Sequence, residues 1–205
     1  IVFSCGFWCI FELINLRMQN WFYINLPEEL YYRYTGYFLA YGTVIPAILV
    51  TKELFDLVVK DIKVKPIHLK HYPFYAVSTG TLAFLLTFTF PLYCFALAWI
   101  FLAFLLDGFN YVKNYPSFMK DIENGHIGNL ISSLMAGLVC GLLWEAWNAM
   151  SVSKWIYTVP FFEDIKIFEM PVPGYMGFLV FGLETIAFVN FLNGIKSSGR
   201  YFLTA

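Results

Sequence analysis

The sequence predicts an all-α fold, a polytopic helical membrane protein with about six transmembrane helices. Three observations predict it. Sixty per cent of the 205 residues are apolar and 13% are charged, whereas a soluble domain carries about a quarter charged residues. The apolar residues form blocks long enough to cross a bilayer, which takes roughly 17–25 helical residues. One ordered set of polar and aromatic residues also occurs twice, once near each end. Together these predict a single integral membrane domain over residues 1–205. Its first repeat covers about 5–55, linker helices cover 56–129, and the second repeat covers about 130–195. Because Ile1 already lies inside an apolar run, residues are expected to be missing ahead of it.

Residues 1–16 read as an apolar helix ending on Glu12, Asn15 and Arg17. Residues 19–33 mix aromatic and polar side chains, the composition of a membrane interface. A second span follows over 34–50, with Pro46 as a kink that neighbouring helices can absorb. Residues 51–71 hold five lysines, and Leu54, Leu57, Val58 and Ile62 recur at helical spacing, which predicts an amphipathic helix on the membrane surface. As one helix, residues 72–106 would be about 50 Å long against a hydrocarbon core of about 30 Å. Pro91 therefore divides them into two short spans, about 74–88 and 91–106, joined by a tight turn. A polar connection from Asp107 to Asn129 leads into a fifth span over 130–147, where Ala136, Gly137, Gly141 and Ala146 allow close helix packing. The sixth span covers 174–192 and carries Glu184 at its middle.

Charge supports this division. With six spans, the loops on one side hold Lys52, Lys60, Lys63, Lys65, Lys70, Lys113, Lys120, Lys196 and Arg200, against Arg17, Arg33, Lys154 and Lys166 on the other. A single span through Pro91 would leave seven against six. The positive-inside rule then places the lysine-rich loop 51–71 and the C-terminus in the cytoplasm and the two aromatic loops outside.

Those two loops carry the repeat. Glu12, Asn15, Trp21, Tyr23 and Pro27 match Glu145, Asn148, Trp155, Tyr157 and Pro160 at offsets of 133 or 134 residues. Gly36-Tyr37 and Gly174-Tyr175 follow at a slightly longer offset. Spans one and five run in the same direction, so the repeat is parallel, and membrane proteins build sites between such repeats. Trp, Tyr and Pro also suit plain interfacial anchoring and helix ending. Carboxylates in apolar spans suit it less, because a glutamate there must be protonated or paired. The candidate catalytic residues are therefore Glu12, Glu145, Glu184 and Glu169. Asn15, Trp21, Tyr23, Trp144, Trp147, Asn148, Trp155 and Tyr157 are the candidate substrate- or lipid-binding set. Arg17 and Arg33 are the partners available to Glu12, and Lys154 is available to Glu145. If those ions pair, the role of the carboxylates is structural.

The tandem pattern, an acidic residue at a helix end followed by W-x-(F/Y) and a loop bearing Pro and Glu, resembles the lycopene cyclase domain of carotenoid biosynthesis. Trp21-Phe22-Tyr23 and Leu26-Pro27-Glu28-Glu29 are similar to that family's W-x-F and P-x-E-E elements, while Met170-Pro171-Val172-Pro173 lacks the paired glutamates. The resemblance implies a small membrane protein that closes the rings of a polyene without net redox change. The whole chain, with LLDGFNY at 105–111 and GLLWEAWN at 141–148, is also similar to a group of bacterial polytopic membrane proteins without an assigned activity. That likeness implies the fold and a bacterial cytoplasmic (inner) membrane location.

Two functions of different kinds follow. One is an isoprenoid- or carotenoid-modifying enzyme, with a buried glutamate as proton donor and aromatic faces that stabilise a carbocation. The other is a non-enzymatic accessory subunit of a larger respiratory or photosynthetic membrane complex, packing on partner helices and binding lipid, quinone or carotenoid. A transporter is a third reading, but the spans lack a stripe of polar residues lining a path. The partners implied are the lipid bilayer, an isoprenoid, carotenoid or quinone, and other membrane subunits. Nucleic acid is not implied by a net charge of −1. No cofactor or metal site is predicted. Cys5, Cys9, Cys94 and Cys140 are scattered in apolar surroundings, and His68 and His71 lie in the lysine-rich loop.

Overall fold

The computed structural model describes residues 1–203 except Lys60 and Glu163, with side chains described as far as Ser198. Lys60 and the Arg200 side chain, both part of the charge count, lie outside the described residues. The protein is mostly helical. Among the described residues, two segments are long and apolar enough to cross a membrane, Gly128–Met150 and Val172–Ser198. A bent pair, Pro91–Trp99 with Phe101–Val112, meets the same test when taken as one span with a 44° bend.

α1 (Val2–Met18) ends where Gln19 turns left-handed at φ 56° and returns its N–H to the Asn15 carbonyl. The chain then runs extended through β1 (Trp21–Ile24). The helix expected over 34–50 is two helices, α2 (Leu30–Gly42) and α3 (Val44–Val59), broken at Thr43. Pro46 falls in the first turn of α3, where the missing N–H would have had no intrahelical partner, so the break precedes the proline. α3 absorbs the first half of the expected surface helix. Beyond residue 60 the lysine-rich segment is non-helical. Its backbone instead bonds to the next polar loop, from Val64 N–H to the Gly125 carbonyl (2.9 Å) and from Ile67 N–H to the Ile122 carbonyl (3.3 Å).

α4 (Tyr72–Thr89) stops at Phe90, whose φ of −128° reflects the constraint a proline places on the residue before it. α5 (Pro91–Cys94) and a 3-10 turn (Phe95–Trp99) reverse the chain into α6 (Phe101–Val112). Thus α4 and α6 form an antiparallel pair, with Gly80 against Leu105 and Gly108 against Ala76. The reversal at Pro91 agrees with the expected turn. Asp107 differs from expectation: it lies inside α6, 3% exposed, rather than opening a polar connection. Its carboxylate is buried because it has donors, accepting from Tyr72 Oη (2.6 Å) and from the backbone N–H groups of Phe118 (2.7 Å) and Met119 (3.3 Å) at the start of α7 (Phe118–Glu123).

α8 (Gly128–Met150) leads into β2 (Lys154–Tyr157), a short hairpin of β3 (Lys166–Ile167) with β4 (Met170–Pro171), a 3-10 turn (Val172–Gly174) and α9 (Tyr175–Leu203). β2 pairs antiparallel with β1 in the register Trp21–Tyr157 and Tyr23–Trp155. The two aromatic loops are therefore one ladder. α8 and α9 meet so closely that a Cβ on Gly137 would lie 2.1 Å from the Phe178 carbonyl, and one on Gly182 would lie 2.0 Å from the Ser133 carbonyl. Within lipid, helices gain little from hiding apolar surface from each other, and such backbone-to-backbone approach supplies the attraction instead. In the core, Phe7, Phe11 and Phe181 are fully buried, and Phe11 stacks on Trp99 with centroids 5.3 Å apart.

Gly182→Ala is expected to force α8 and α9 apart, because the clash is with backbone rather than a movable side-chain end. The expected loss is about 1–3 kcal/mol, read as a lower thermal midpoint in detergent, while Gly36→Ala, in open space within α2, does not lower the midpoint.

Candidate functional site

Both ends of the repeated pattern build the same local structure. Asn15, in the last turn of α1, accepts from the backbone N–H groups of Asn20 (2.8 Å) and Trp21 (3.3 Å) through Oδ1 and donates Nδ2 to the Trp21 carbonyl (2.7 Å). Asn148, in the last turn of α8, accepts from the Trp155 N–H (2.9 Å) and donates to the Trp155 carbonyl (2.9 Å). A side-chain amide matches the donor–acceptor pair of one extended residue, so each asparagine fastens a strand to the helix before it.

One turn earlier, each glutamate collects the polar atoms of the aromatic residues. Glu12 Oε1 accepts from Trp8 Nε1 (2.8 Å), Trp21 Nε1 (3.3 Å) and Tyr23 Oη (2.5 Å). Glu145 Oε1 accepts from Trp155 Nε1 (3.1 Å) and Tyr157 Oη (2.7 Å). One difference between the clusters bears on the glutamates. The position 133 residues on from Trp8 is Gly141, pressed against the Phe178 ring, so Glu145 lacks a third donor there. Glu145 is fully buried, and its Oε2 has no hydrogen-bond partner among the described residues.

None of the cations considered for these carboxylates pairs with them. Arg33 donates Nε and Nη2 to the Pro27 carbonyl (2.9 and 2.7 Å), and Lys154 pairs with Glu169. Glu169 thus ties β2 to the β3–β4 hairpin. Glu184 lies apart from both clusters. Fully buried in α9, it accepts from the Leu102 N–H (3.1 Å) at the open first turn of α6, with Oε2 unpartnered among the described residues.

Between the clusters lies a cleft of about 860 Å³. Its walls include Trp8, Trp21, Trp99, Trp144 and Trp155, with the tyrosines Tyr23, Tyr41 and Tyr157. Trp147 and Asn148 also line it, whereas Asn15 faces a small surface depression beside Gln19 and Thr158. Glu12, Glu145, Glu169 and Glu184 are not among the residues that line the cleft, so the carboxylates stand behind the aromatic wall. The volume falls in the range of small-molecule and cofactor sites, about 300–1,000 Å³.

Trp8, Tyr41 and Trp99 belong to the site without having been marked by the repeat. Trp8 had a signal, since it stands four residues before Glu12 on one helix face. Trp99 had none, because it reaches the cleft only through the reversal at Pro91. Among the described residues no group of three His, Cys, Asp or Glu side chains converges as a metal site would.

Burial, and next the adjacent carboxylate, pushes the Tyr23 and Tyr157 phenols well above their ordinary value. Unfolding returns them to about 10. Their contribution to stability is therefore intact below pH 10 or so and falls as the pH rises beyond it. Tyrosinate absorbance followed during alkaline titration should show these two phenols ionising only with unfolding, and Tyr157→Phe should remove one of them from that step. Asn148→Ala should cost about 1–3 kcal/mol and open the Trp155 amide to rapid hydrogen exchange while the middle of α8 stays protected.

No family model, curated protein or solved structure matches this chain.

Proposed function

We propose that this chain is an integral membrane protein that holds an isoprenoid-class polyene in the aromatic cleft and closes or shifts its double bonds by proton transfer, without net redox change. The observation that carries this reading is the cleft itself: an apolar cavity walled by six tryptophans, between two glutamates with which no cation pairs among the described residues. Indole faces stabilise a developing carbocation, and an apolar wall keeps water from capturing it. Glu145 is the proton donor in this reading, because it is fully buried and has one oxygen without a partner among the described residues. Tyr157 and Trp155 stand between it and the cleft, so they shift when the proton is passed. The proton given to one alkene carbon is returned when a neighbouring carbon loses its own, which regenerates the acid.

Six spans and two parallel repeats complete the proposal, in a bacterial cytoplasmic membrane with loop 51–71 inside. The matching hydrogen bonds of the two clusters, the reversal at Pro91 and the charge asymmetry support that topology. A second reading draws on a different observation. Since no carboxylate among the described residues lines the cleft, Glu12 and Glu145 can serve only to hold the aromatic wall, as in an accessory subunit that stores a lipid, quinone or carotenoid.

Mass spectrometry of the gently purified protein, including its lipid-soluble components, tests the binding. An isoprenoid at one per chain is expected, and its loss in Trp155→Ala would place it in the cleft. Glu145→Gln keeps an acceptor for Trp155 and Tyr157 but removes the acid. It should retain the ligand and lose turnover by at least about 10²-fold. Unchanged turnover in that variant would remove Glu145 as the acid, and absence of turnover in the unaltered protein would leave only the storage reading.

A further inference from the structure

Two charged side chains line the cleft among the described residues, Arg33 and Lys154, and both are cations. Both also belong to its strand-end. Lys154 pairs with Ile24 across the β1–β2 ladder, and Arg33 reaches back to the carbonyl of Pro27, three residues beyond Ile24. Glu169 answers Lys154. No carboxylate pairs with Arg33 among the described residues. Glu28 and Glu29, next to Pro27, are exposed and absent from the cleft wall. Because Nε and Nη2 share one carbonyl, the two Nη1 hydrogens remain without a protein acceptor among the described residues. A cation beside a largely apolar cavity is costly unless an anion meets it.

We infer that the cleft takes an amphiphile with an anionic head, an isoprenoid chain ending in a phosphate monoester, with the phosphate at Arg33 and Lys154 and the chain among the tryptophans. The inference rests on the reading of the cleft as an isoprenoid site and adds the head group. A monoester presents three free oxygens, enough to accept from a guanidinium and an ammonium on different elements at once. A phosphodiester offers two, and a neutral polyene leaves Arg33 unanswered. The rest of the lining among the described residues, including Val44, Phe95, Trp99, Trp144 and Val180, carries no charged side chain and suits the chain.

Tryptophan fluorescence of the purified chain in neutral detergent, titrated with farnesyl monophosphate and separately with farnesol, tests it. The phosphate is expected to bind about tenfold more tightly than the alcohol, the factor one charge-assisted hydrogen bond supplies. Arg33→Gln should abolish that preference, with a thermal midpoint equal to that of the wild type reporting that the fold is intact. Lys154→Gln should reduce the preference in the same direction. Equal binding of the two ligands to the wild type would overturn the head-group assignment while leaving the isoprenoid cleft standing. Failure of both ligands to bind would overturn the cleft reading along with it. Competition by phosphatidylglycerol bicelles as effective as that by farnesyl monophosphate would mark a phosphodiester head and overturn the monoester.

Discussion

The arrangement turns on a side-chain amide reading the backbone of an extended residue. Asn15 and Asn148 sit in the last turns of two apolar helices, and each binds a strand that leaves its helix. Those strands then satisfy one another as a ladder. Without the asparagines the strands would have no reason to turn back over the helix ends. With them, alternate strand residues Trp21, Tyr23, Trp155 and Tyr157 face the same cleft.

The glutamates finish what the asparagines begin. Indole and phenol groups are large and apolar, but each carries a polar atom that needs a partner when buried. Glu12 and Glu145 supply one oxygen each to collect those atoms on the far side of the wall, which turns the ring faces inward. The cleft is aromatic because its polar atoms have been drawn out of it. The exchange of Trp8 for Gly141 makes the two halves unequal, since Glu12 is held by three donors and Glu145 by two. Departures of this sort between otherwise matching halves are where different duties for the two halves would begin.

Much of the site was legible from letter spacing. The pattern E-x-x-N followed by W-x-Y marked eight residues, and the structure joins these eight through the same kinds of bond in both halves. Spacing can do this because i, i+3 positions share a helix face and i, i+2 positions share a strand face. The partner choices of the cations were not legible. Arg33 turns to a carbonyl and Lys154 to Glu169 because loop geometry, not sequence distance, decides which acceptor is near. Glu184 read as a site residue from its depth in an apolar segment, yet its acceptor oxygen meets the open turn of α6. Such a contact depends on the break at Ile100, which no local pattern announces.

Composition and apolar length by themselves determined that this is a helical chain with segments able to cross a membrane, since those properties depend only on how many apolar residues follow one another. The position of Pro91 determined that the chain reverses there, because proline restrains its predecessor and lacks a donor. Only the tertiary structure decided that the two aromatic loops become one ladder, that Trp8 and Trp99 join its cleft, and that the carboxylates stand behind the wall rather than in it. The physical reason is the range of the forces involved. Helix formation and chain reversal are settled within a turn or two of backbone, whereas a cleft between residues more than a hundred positions apart exists only once α1, α6, α8 and α9 have packed.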